Sequence, residues 1–133
     1  MSMNFNERVA IVTGAGGGLG RAHAMALAER GARLVINDVS AEAADAVTQE
    51  ILAAGGQAIA SPGYVTDYEA ACATVRLANE TWGRVDILVN NAGILRDKTF
   101  VNIDLEDFKL VMDVHVMGAV YFTKAVWPLM LQQ

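Results

Sequence analysis

Glycine is concentrated in one short stretch, TGAGGGLG, between Thr13 and Gly20. A glycine-rich turn that follows a strand and opens a helix lets backbone N–H groups approach a pyrophosphate, whose charge also meets the positive end of the helix dipole. The dinucleotide fingerprint G-x-G-x-x-G needs a third glycine five residues after its first, and the starts at Gly14, Gly16 and Gly18 all fail. The stretch therefore indicates a phosphate loop with another glycine spacing, unless it is only a flexible turn.

Two other glycine spacings fit this loop. The pattern G-x-x-x-G-x-G runs through Gly14, Gly18 and Gly20, and the pattern G-x-x-G-x-x-G runs through Gly14, Gly17 and Gly20. In the first pattern the glycines would serve the turn, the close approach to phosphate and the packing of the following helix. The loop by itself leaves both spacings open.

An acidic residue, Asp38, ends the second apolar run of the chain. At the end of a second strand, a carboxylate can accept hydrogen bonds from both hydroxyls of an adenosine ribose, and it repels a 2'-phosphate. No Lys or Arg lies between Gly14 and Gly20, and the residue after the acid is Val39. We therefore expect NAD rather than NADP as the cofactor. The alternative is that Asp38 only begins the turn before Ser40.

These residues need a scaffold in which strands alternate with helices. Short apolar runs rich in Val and Ile predict strands at Val9–Thr13, Arg33–Asp38, Gln57–Ser61 and Val85–Asn90. Amphipathic segments bounded by turn residues predict helices at Leu19–Arg30, Ala41–Ala54 and Asp67–Trp82. Such alternation produces a parallel sheet with right-handed crossovers. We expect a Rossmann-like, doubly wound α/β fold with strand order 3-2-1-4, and a ligand at the carboxyl ends of the strands near the switch between strands 1 and 4.

A fourth helix is predicted from Asp104 to the end of the chain. Asp104 caps it and, with Asp107, places carboxylates near the positive end of the helix dipole. Pro128 has no backbone N–H and should kink or loosen the last turn. The run Val114–Phe122 is apolar almost all round apart from His115, so more than one side of the helix must be covered. No run of about 18 uncharged apolar residues predicts a membrane span.

Composition narrows the classes of function. A chain of 133 residues with 53% hydrophobic and 19% charged residues is typical of one packed domain, here residues 1–133. A formal net charge of -5 argues against nucleic acid as a partner, because phosphate-backbone binders need clustered Lys and Arg. The single cysteine, Cys72, excludes an internal disulfide and a multi-cysteine zinc site, and we expect no metal. The first residues lack the apolar run of a secretory signal, so we expect a cytoplasmic protein.

Three motifs together resemble the short-chain dehydrogenase/reductase family across the whole chain: TGAGGGLG, the acid at Asp38, and NNAG at residues 90–93. NNAG after strand 4 favours the G-x-x-x-G-x-G spacing of the shorter, regular members of that family. The resemblance implies an NAD-dependent oxidoreductase. It also implies a set of cofactor-binding positions: Gly14, Gly18, Leu19, Gly20, Asp38, Val65, Asn91, Ala92 and Gly93. Asparagines that end a strand before a glycine are also ordinary turn chemistry.

Two further segments indicate a branch of the family. NNAGILRDKTF, and VHVMG at residues 114–118, resemble the (3R)-hydroxyacyl-CoA dehydrogenase units of peroxisomal multifunctional enzymes and their bacterial relatives. That likeness implies a small-molecule substrate, a 3-hydroxyacyl thioester or another secondary alcohol or ketone, and a peroxisomal location if the source is eukaryotic. His115 stands where most of the family has an asparagine in the proton relay, so His115 is a candidate catalytic residue. The alternative is a packed histidine that satisfies a backbone carbonyl.

The sequence departs from the family at two places. The family carries Asp-Val after strand 3, with the Asp on the adenine amine, whereas this chain has Tyr64-Val65. The family's chemistry also uses a serine and a Tyr-x-x-x-Lys pair, and no tyrosine here has a lysine four residues later. The chain thus resembles the amino-terminal, cofactor-binding half of such an enzyme, truncated after the fourth strand-helix unit, and the complete enzyme is expected to be a homo-oligomer. The rival hypothesis is a nucleotide-binding module without chemistry. Relatives of 3-oxoacyl-carrier-protein reductases or hydroxysteroid dehydrogenases are further alternatives.

Overall fold

A single parallel sheet forms the centre of the molecule. The computed structural model describes residues 3–133 and contains four strands: β1 (Val9–Val12), β2 (Arg33–Ile36), β3 (Gln57–Ala60) and β4 (Ile87–Val89). They are ordered β3-β2-β1-β4, so the predicted order is confirmed. Val9 pairs with Arg33, Arg33 with Gln57, and Ala10 with Ile87. Each strand ends before its predicted limit, because the polar residues at the carboxyl ends belong to the loops.

Helices follow each strand. They are α1 (Gly18–Glu29), α2 (Ala41–Ala53), α3 (Tyr68–Trp82), α4 (Leu105–Met112) and α5 (Gly118–Gln132). The first three match the predicted helices to within a residue or two. Side chains at the predicted turns cap two of them: the Ser40 hydroxyl accepts from the Ala43 N–H at 3.1 Å, and the Asp67 carboxylate accepts from the Ala70 N–H at 3.2 Å.

The predicted fourth helix is interrupted. Residues Asp113–Met117 form a π-helical segment between α4 and α5, so an extra residue is accommodated where VHVMG lies. Asp104 occupies the N-cap position, but its side chain accepts no hydrogen bond from the helix, and the prediction of a side-chain cap was wrong. The chain remains helical through Pro128 as far as Gln132.

The core lies on both faces of the sheet, as the nearly continuous apolar strands predict. One cluster places alternate residues of β1 and β2 against α1 and α2, with Ile36 and Ile51 among its buried members. The other places Ile11 and Val35 against α3 and α5. Phe122 of α5 is buried in this second cluster, with 1% of its surface exposed.

Apolar side chains are exposed beyond β4. The segment from residue 90 to residue 104 contains no helix or strand, and Leu95, Phe100 and Val101 are 84%, 82% and 91% exposed there. The continuous helical stretch Leu105–Gln132 is long and apolar enough to cross a membrane by length and composition alone. Phe122 and Val126 of this stretch pack in the core, so part of its apolar character serves packing within the fold.

Candidate dinucleotide-binding site

The stretch from Gly14 to Gly20 needs glycine at three of the positions that the two candidate spacings contain. Gly14 and Gly18 have φ angles of +61° and +53°, a left-handed conformation that disfavours other residues. A Cβ on Gly20 would overlap the Gly14 carbonyl oxygen and would lie 2.5 Å from Asn91 Nδ2. Gly17 is extended, with φ of -176°, and no heavy atom lies within 4 Å of where its Cβ would be. The geometry therefore requires the spacing Gly14, Gly18, Gly20 and leaves Gly17 replaceable.

The first turn of α1 is open. Its N-cap residue, Gly17, has no side chain, and no side chain caps the helix. Leu19 of this turn is 73% exposed. Backbone N–H groups at an uncapped helix start retain their capacity to donate, and the helix dipole adds positive potential there. This end of α1 can receive an anionic group.

Asn91 joins the end of β4 to the glycine loop. Its Nδ2 donates to the carbonyl oxygens of Thr13 at 3.0 Å and Gly14 at 3.2 Å. In return, the Thr13 hydroxyl oxygen accepts from the N–H groups of Asn91 at 3.1 Å and Ala92 at 3.0 Å. A Cβ on Gly14 would lie 2.9 Å from Ala92 Cα, so the two loops touch through backbone. Sequence reasoning missed Thr13, although a hydroxyl residue at the end of a buried strand was a usable signal.

The carboxylate of Asp38 is held against the same loop. Its Oδ2 accepts from the Gly16 N–H at 2.9 Å, and its Oδ1 accepts from the Ser40 N–H at 3.0 Å. The bond to Ser40 is the turn that the alternative interpretation predicted. A Cβ on Gly16 would lie 2.8 Å from Asp38 Oδ2, so Gly16 is a further glycine that the site requires and that the motif patterns did not contain.

The loop after β3 is bonded to the end of β2. Asn37 is buried, and its Nδ2 donates to the Ser61 carbonyl at 2.9 Å. The Gly63 N–H donates to the Asp38 carbonyl at 2.9 Å. Val65, at 6% exposure, lies against Gly118 of α5, where a Cβ would be 2.7 Å from Val65 Cγ2.

These loops surround a cavity of about 580 Å³ at the carboxyl ends of the strands. Six of the predicted cofactor-binding residues line it: Gly14, Asp38, Val65, Asn91, Ala92 and Gly93. Gly18, Leu19 and Gly20 do not line it; they form the end of α1 beside it. Arg96 also lines this cavity, with Leu110 and Val114, and its Nε lies 3.6 Å from the Asp107 carboxylate. A larger depression of about 680 Å³ lies on α5, is lined by residues such as Val120 and Trp127, and includes none of the glycine loop.

His115 packs on the backbone that follows Asn91. Its Nε2 lies 2.9 Å from the Ile94 carbonyl oxygen and 3.1 Å from the Ile94 N–H nitrogen. One ring nitrogen either donates or accepts, so the tautomer selects between these two bonds. A Cβ on Gly93 would lie 2.6 Å from His115 Cε1. The bond to the Ile94 carbonyl is the one that the alternative interpretation expects, although His115 is exposed rather than buried, and the catalytic role of His115 stays a prediction.

The strongest electrostatic feature lies at the opposite end of the sheet. The Arg84 guanidinium lowers the pKa of Asp86 from 3.8 to about 2, with help from the Val9 N–H and Arg8. Arg84 Nε donates to Asp86 Oδ2 at 2.8 Å, and the Val9 N–H donates to the same oxygen at 2.9 Å. This cluster ties the start of β4 to the start of β1 and plays no part in the cavity.

The 3-2-1-4 parallel sheet, the glycine loop and the cavity at the carboxyl ends of the strands define a Rossmann-like fold of the dinucleotide-binding type. The sequence profile of the family described as "short chain dehydrogenase" matches residues 8–133. The chain therefore belongs to the short-chain dehydrogenase family, an oxidoreductase family, and the resemblance seen in its motifs is confirmed.

Particular relatives support the same assignment. The chain is 45% identical to the peroxisomal multifunctional enzyme type 2 of Mus musculus over 98% of its own length. It is 44% identical to a 3-oxoacyl-[acyl-carrier-protein] reductase of Synechocystis sp. over 95% of its length. Among solved structures, a hydroxysteroid dehydrogenase from Escherichia coli superposes with a TM-score of 0.92 at 36% identity, covering 97% of this chain and 55% of that one.

The chain spans only part of these relatives. It covers 19% of the mouse enzyme and 51% of the Synechocystis reductase. A short chain dehydrogenase from Mycobacterium avium gives the same picture, with a TM-score of 0.89 and 43% identity over 93% of this chain and 46% of that one. The activities of the whole relatives are therefore a matter for proposal.

Proposed function

We propose that this chain binds NAD and forms the cofactor-binding half of a short-chain dehydrogenase that transfers hydride between NAD and a secondary alcohol or ketone. The observation that carries the proposal is the position of Asp38, whose carboxylate lies against the glycine loop at the end of β2 and lines the cavity. The open start of α1, where no heavy atom lies within 4 Å of the Cβ positions of Gly17 and Gly18, fits a pyrophosphate placed close to the backbone.

Different residues would contact different parts of the cofactor. The first turn of α1 would donate backbone N–H groups to the pyrophosphate, and Asp38 would accept from the adenosine ribose hydroxyls. Asn91 fixes the glycine loop through the Thr13 and Gly14 carbonyls, so that Ala92 and Gly93 border the cavity at the β4 end. When bound, the nicotinamide supplies the hydride acceptor, and the protein supplies position and exclusion of water.

Selection of NAD over NADP rests on charge. A 2'-phosphate at the ribose would meet the Asp38 carboxylate at close range. Arg21 is the first cation after the loop, and its guanidinium already pairs with Glu50 of α2. Among residues 3–133, none that lines the β2 end of the cavity carries a positive charge to offset that repulsion.

A 3-hydroxyacyl thioester is the substrate class we propose. The support is the segment NNAGILRDKTF and the relatives named as a peroxisomal multifunctional enzyme and as a 3-oxoacyl-[acyl-carrier-protein] reductase. The similarity to a hydroxysteroid dehydrogenase keeps other secondary alcohols as the alternative. The name of the mouse relative agrees with a peroxisomal location, and the cytoplasmic location stays a prediction.

A second candidate function is a nucleotide-binding module without chemistry. The observation that favours it is that no tyrosine among the 133 residues has a lysine four positions later. Proton transfer by such a pair contributes about 10²- to 10⁴-fold to rate. We expect no dehydrogenase turnover by the purified 133 residues with 3-hydroxyacyl-CoA and NAD. If the purified 133 residues, checked by intact mass, do turn over this substrate, the residues that transfer the proton lie within this chain and the expectation is wrong.

Calorimetry with NAD and NADP tests the cofactor proposal. We expect the unsubstituted chain to bind NAD at least about 10-fold more tightly than NADP, since one close repulsion between like charges costs about 1.4 kcal/mol or more in a half-buried site. Asp38→Asn should narrow this preference, because it keeps the size of the side chain and removes its charge. Asp45→Asn is the matched control, since Asp45 is an exposed acid on α2. Equal affinity for both cofactors in the unsubstituted chain would refute the assignment of Asp38.

A further inference from the structure

The β2 end of the cavity carries an aromatic residue that has no part in the proposed function so far. Tyr64 lines the cavity together with Asp38 and Val39. It is 65% exposed, and Val39 is 60% exposed, so the two apolar surfaces face open space rather than the core. Exposed apolar groups that line a cavity are available for contact with a ligand.

The backbone around Tyr64 is fixed in place. Asn37 Nδ2 donates to the Ser61 carbonyl, and the Gly63 N–H donates to the Asp38 carbonyl, both at 2.9 Å. On the other side of Tyr64, Val65 is buried against Gly118. These contacts hold Tyr64 beside Asp38. A chemical group that is bonded to the part of a ligand held by Asp38 therefore lies close to the Tyr64 ring.

We propose that Tyr64 is a specificity-determining residue that stacks on the adenine of the dinucleotide. The proposal rests on the proposed function, in which Asp38 binds the adenosine ribose. Adenine is bonded directly to that ribose, so it must occupy the cavity beside Asp38, where Tyr64 and Val39 are the exposed apolar surfaces. Aromatic rings stack on the face of any purine, whereas a carboxylate at this place would read the 6-amine.

Recognition by the face of the base has a measurable consequence. Stacking does not depend on the exocyclic amine, so this site should bind nicotinamide hypoxanthine dinucleotide, which lacks that amine, about as well as NAD. A stacked ring is worth about 5- to 150-fold in affinity per base. The phenolic hydroxyl should contribute little.

Calorimetry on the unsubstituted chain and three variants tests the proposal with both dinucleotides as probes. We expect the unsubstituted chain to bind the two with affinities within about 3-fold of each other. Tyr64→Phe should bind as the unsubstituted chain does, and Tyr64→Ala should lose at least about 5-fold toward both. Leu95→Ala is the control for removal of an exposed apolar side chain, because Leu95 is 84% exposed and does not line the cavity. Circular dichroism checks that each variant is folded, and Tyr64→Leu serves in place of Tyr64→Ala if that variant is not.

The other outcomes overturn the proposal in distinguishable ways. If Tyr64→Phe loses as much affinity as Tyr64→Ala, the contact is a hydrogen bond from the Tyr64 hydroxyl and not stacking by the ring. Binding of the hypoxanthine dinucleotide more than about 10-fold weaker than NAD would show that the amine is read. If Tyr64→Ala binds both dinucleotides as tightly as the unsubstituted chain, Tyr64 does not contact the ligand, and the proposed function is unaffected. No binding of NAD by the folded, unsubstituted chain would refute both.

Discussion

The two sides of the cavity are built differently. The β2 side comprises β1, β2 and β3 with the loops that follow them. Backbone and side-chain hydrogen bonds connect each of these loops to the next, and all four residues of β1 are buried. On the β4 side, which comprises β4, residues 90–104 and α4, the strand residues are only half-buried and α4 has no buried residue. Phe100 and Val101 are more than four-fifths exposed there.

This difference indicates which parts of the site the chain completes by itself. The β2 side leaves no space for added atoms at Gly16 and Gly20, so its shape is set by contacts inside the 133 residues. The β4 side presents apolar surface that the described residues do not cover. A proposed partner for that surface is further polypeptide or a second subunit, in keeping with relatives of which this chain spans about half or less.

The largest effect is expected at Gly20. In Gly20→Val the new side chain would overlap the Gly14 carbonyl and crowd Asn91, so we expect a loss of about 3 kcal/mol in the free energy of unfolding and loss of NAD binding. Gly17→Ala is the control, because its Cβ would meet no atom within 4 Å, and it should cost less than about 1 kcal/mol. Urea unfolding measures both. Similar stability of the two variants would mean that the β2 side is not tightly packed.

Asn91 and Asn90 both lie on the β4 side, but only the Asn91 side chain is bonded to the glycine loop of the β2 side, so the pair tests how much these bonds contribute. Asn91→Ala removes two hydrogen bonds to the glycine loop and leaves part-buried carbonyls without a donor, so we expect a loss of about 1 to 2 kcal/mol in stability and weaker NAD binding. Asn90 is exposed and its Nδ2 donates to the Thr123 hydroxyl at 3.2 Å, so Asn90→Ala should cost less than about 0.5 kcal/mol. Equal losses of stability from the two substitutions would show that the bonds from Asn91 to the glycine loop contribute no more than the exposed bond of Asn90.

Acid should weaken the attachment of β4 at its other end. The pKa of Asp86 is lowered to about 2 in the folded chain, from 3.8, chiefly by the Arg84 guanidinium. A lowered pKa means that the carboxylate stabilises the folded state fully above about pH 4 and that this contribution is lost as the pH falls toward 2. Because solvent screens the partly exposed arginine partners, we take the contribution as about 1 kcal/mol, less than the full shift would give. Thermal unfolding at several pH values should show the decline. In Asp86→Asn the decline should be shallower, and an unchanged profile would show that other carboxylates cause it.

Substitution of the exposed apolar residues of the β4 side is expected to have the smallest effect on stability. It should nevertheless change association in solution. We expect the chain to self-associate through this surface, because Phe100 and Val101 expose contiguous apolar area and β4 pairs with β1 alone. Phe100→Ser with Val101→Ser should reduce association in sedimentation velocity and leave stability nearly unchanged. Val39→Ser, on the β2 side, is the control and should leave association as it is. A stable monomer at every concentration would show that this surface is covered in another way.

The sequence by itself determined the fold and the spacing of the main motifs. Apolar runs that alternate with amphipathic segments admit few arrangements, because a parallel sheet must be covered on both faces and its crossovers are right-handed, so the order β3-β2-β1-β4 followed directly. Asp38 was identified because it stands where a strand ends, and Asn91 because NNAG after strand 4 resembles a motif of the family. Family resemblance then selected among glycine spacings that the loop alone left open.

Tertiary structure alone decided which of these residues touch. Gly16 and Thr13 became part of the site only when β2 and β4 were placed beside β1, because their partners Asp38 and Asn91 are distant in sequence. The π-helical segment at His115 likewise could not be read from local pattern, since its apolar run suits an ordinary α-helix equally well. The segment bonds His115 to Ile94, 21 positions away in the chain. Local sequence encodes the preference of each element, and contacts between distant residues are fixed only when the elements pack.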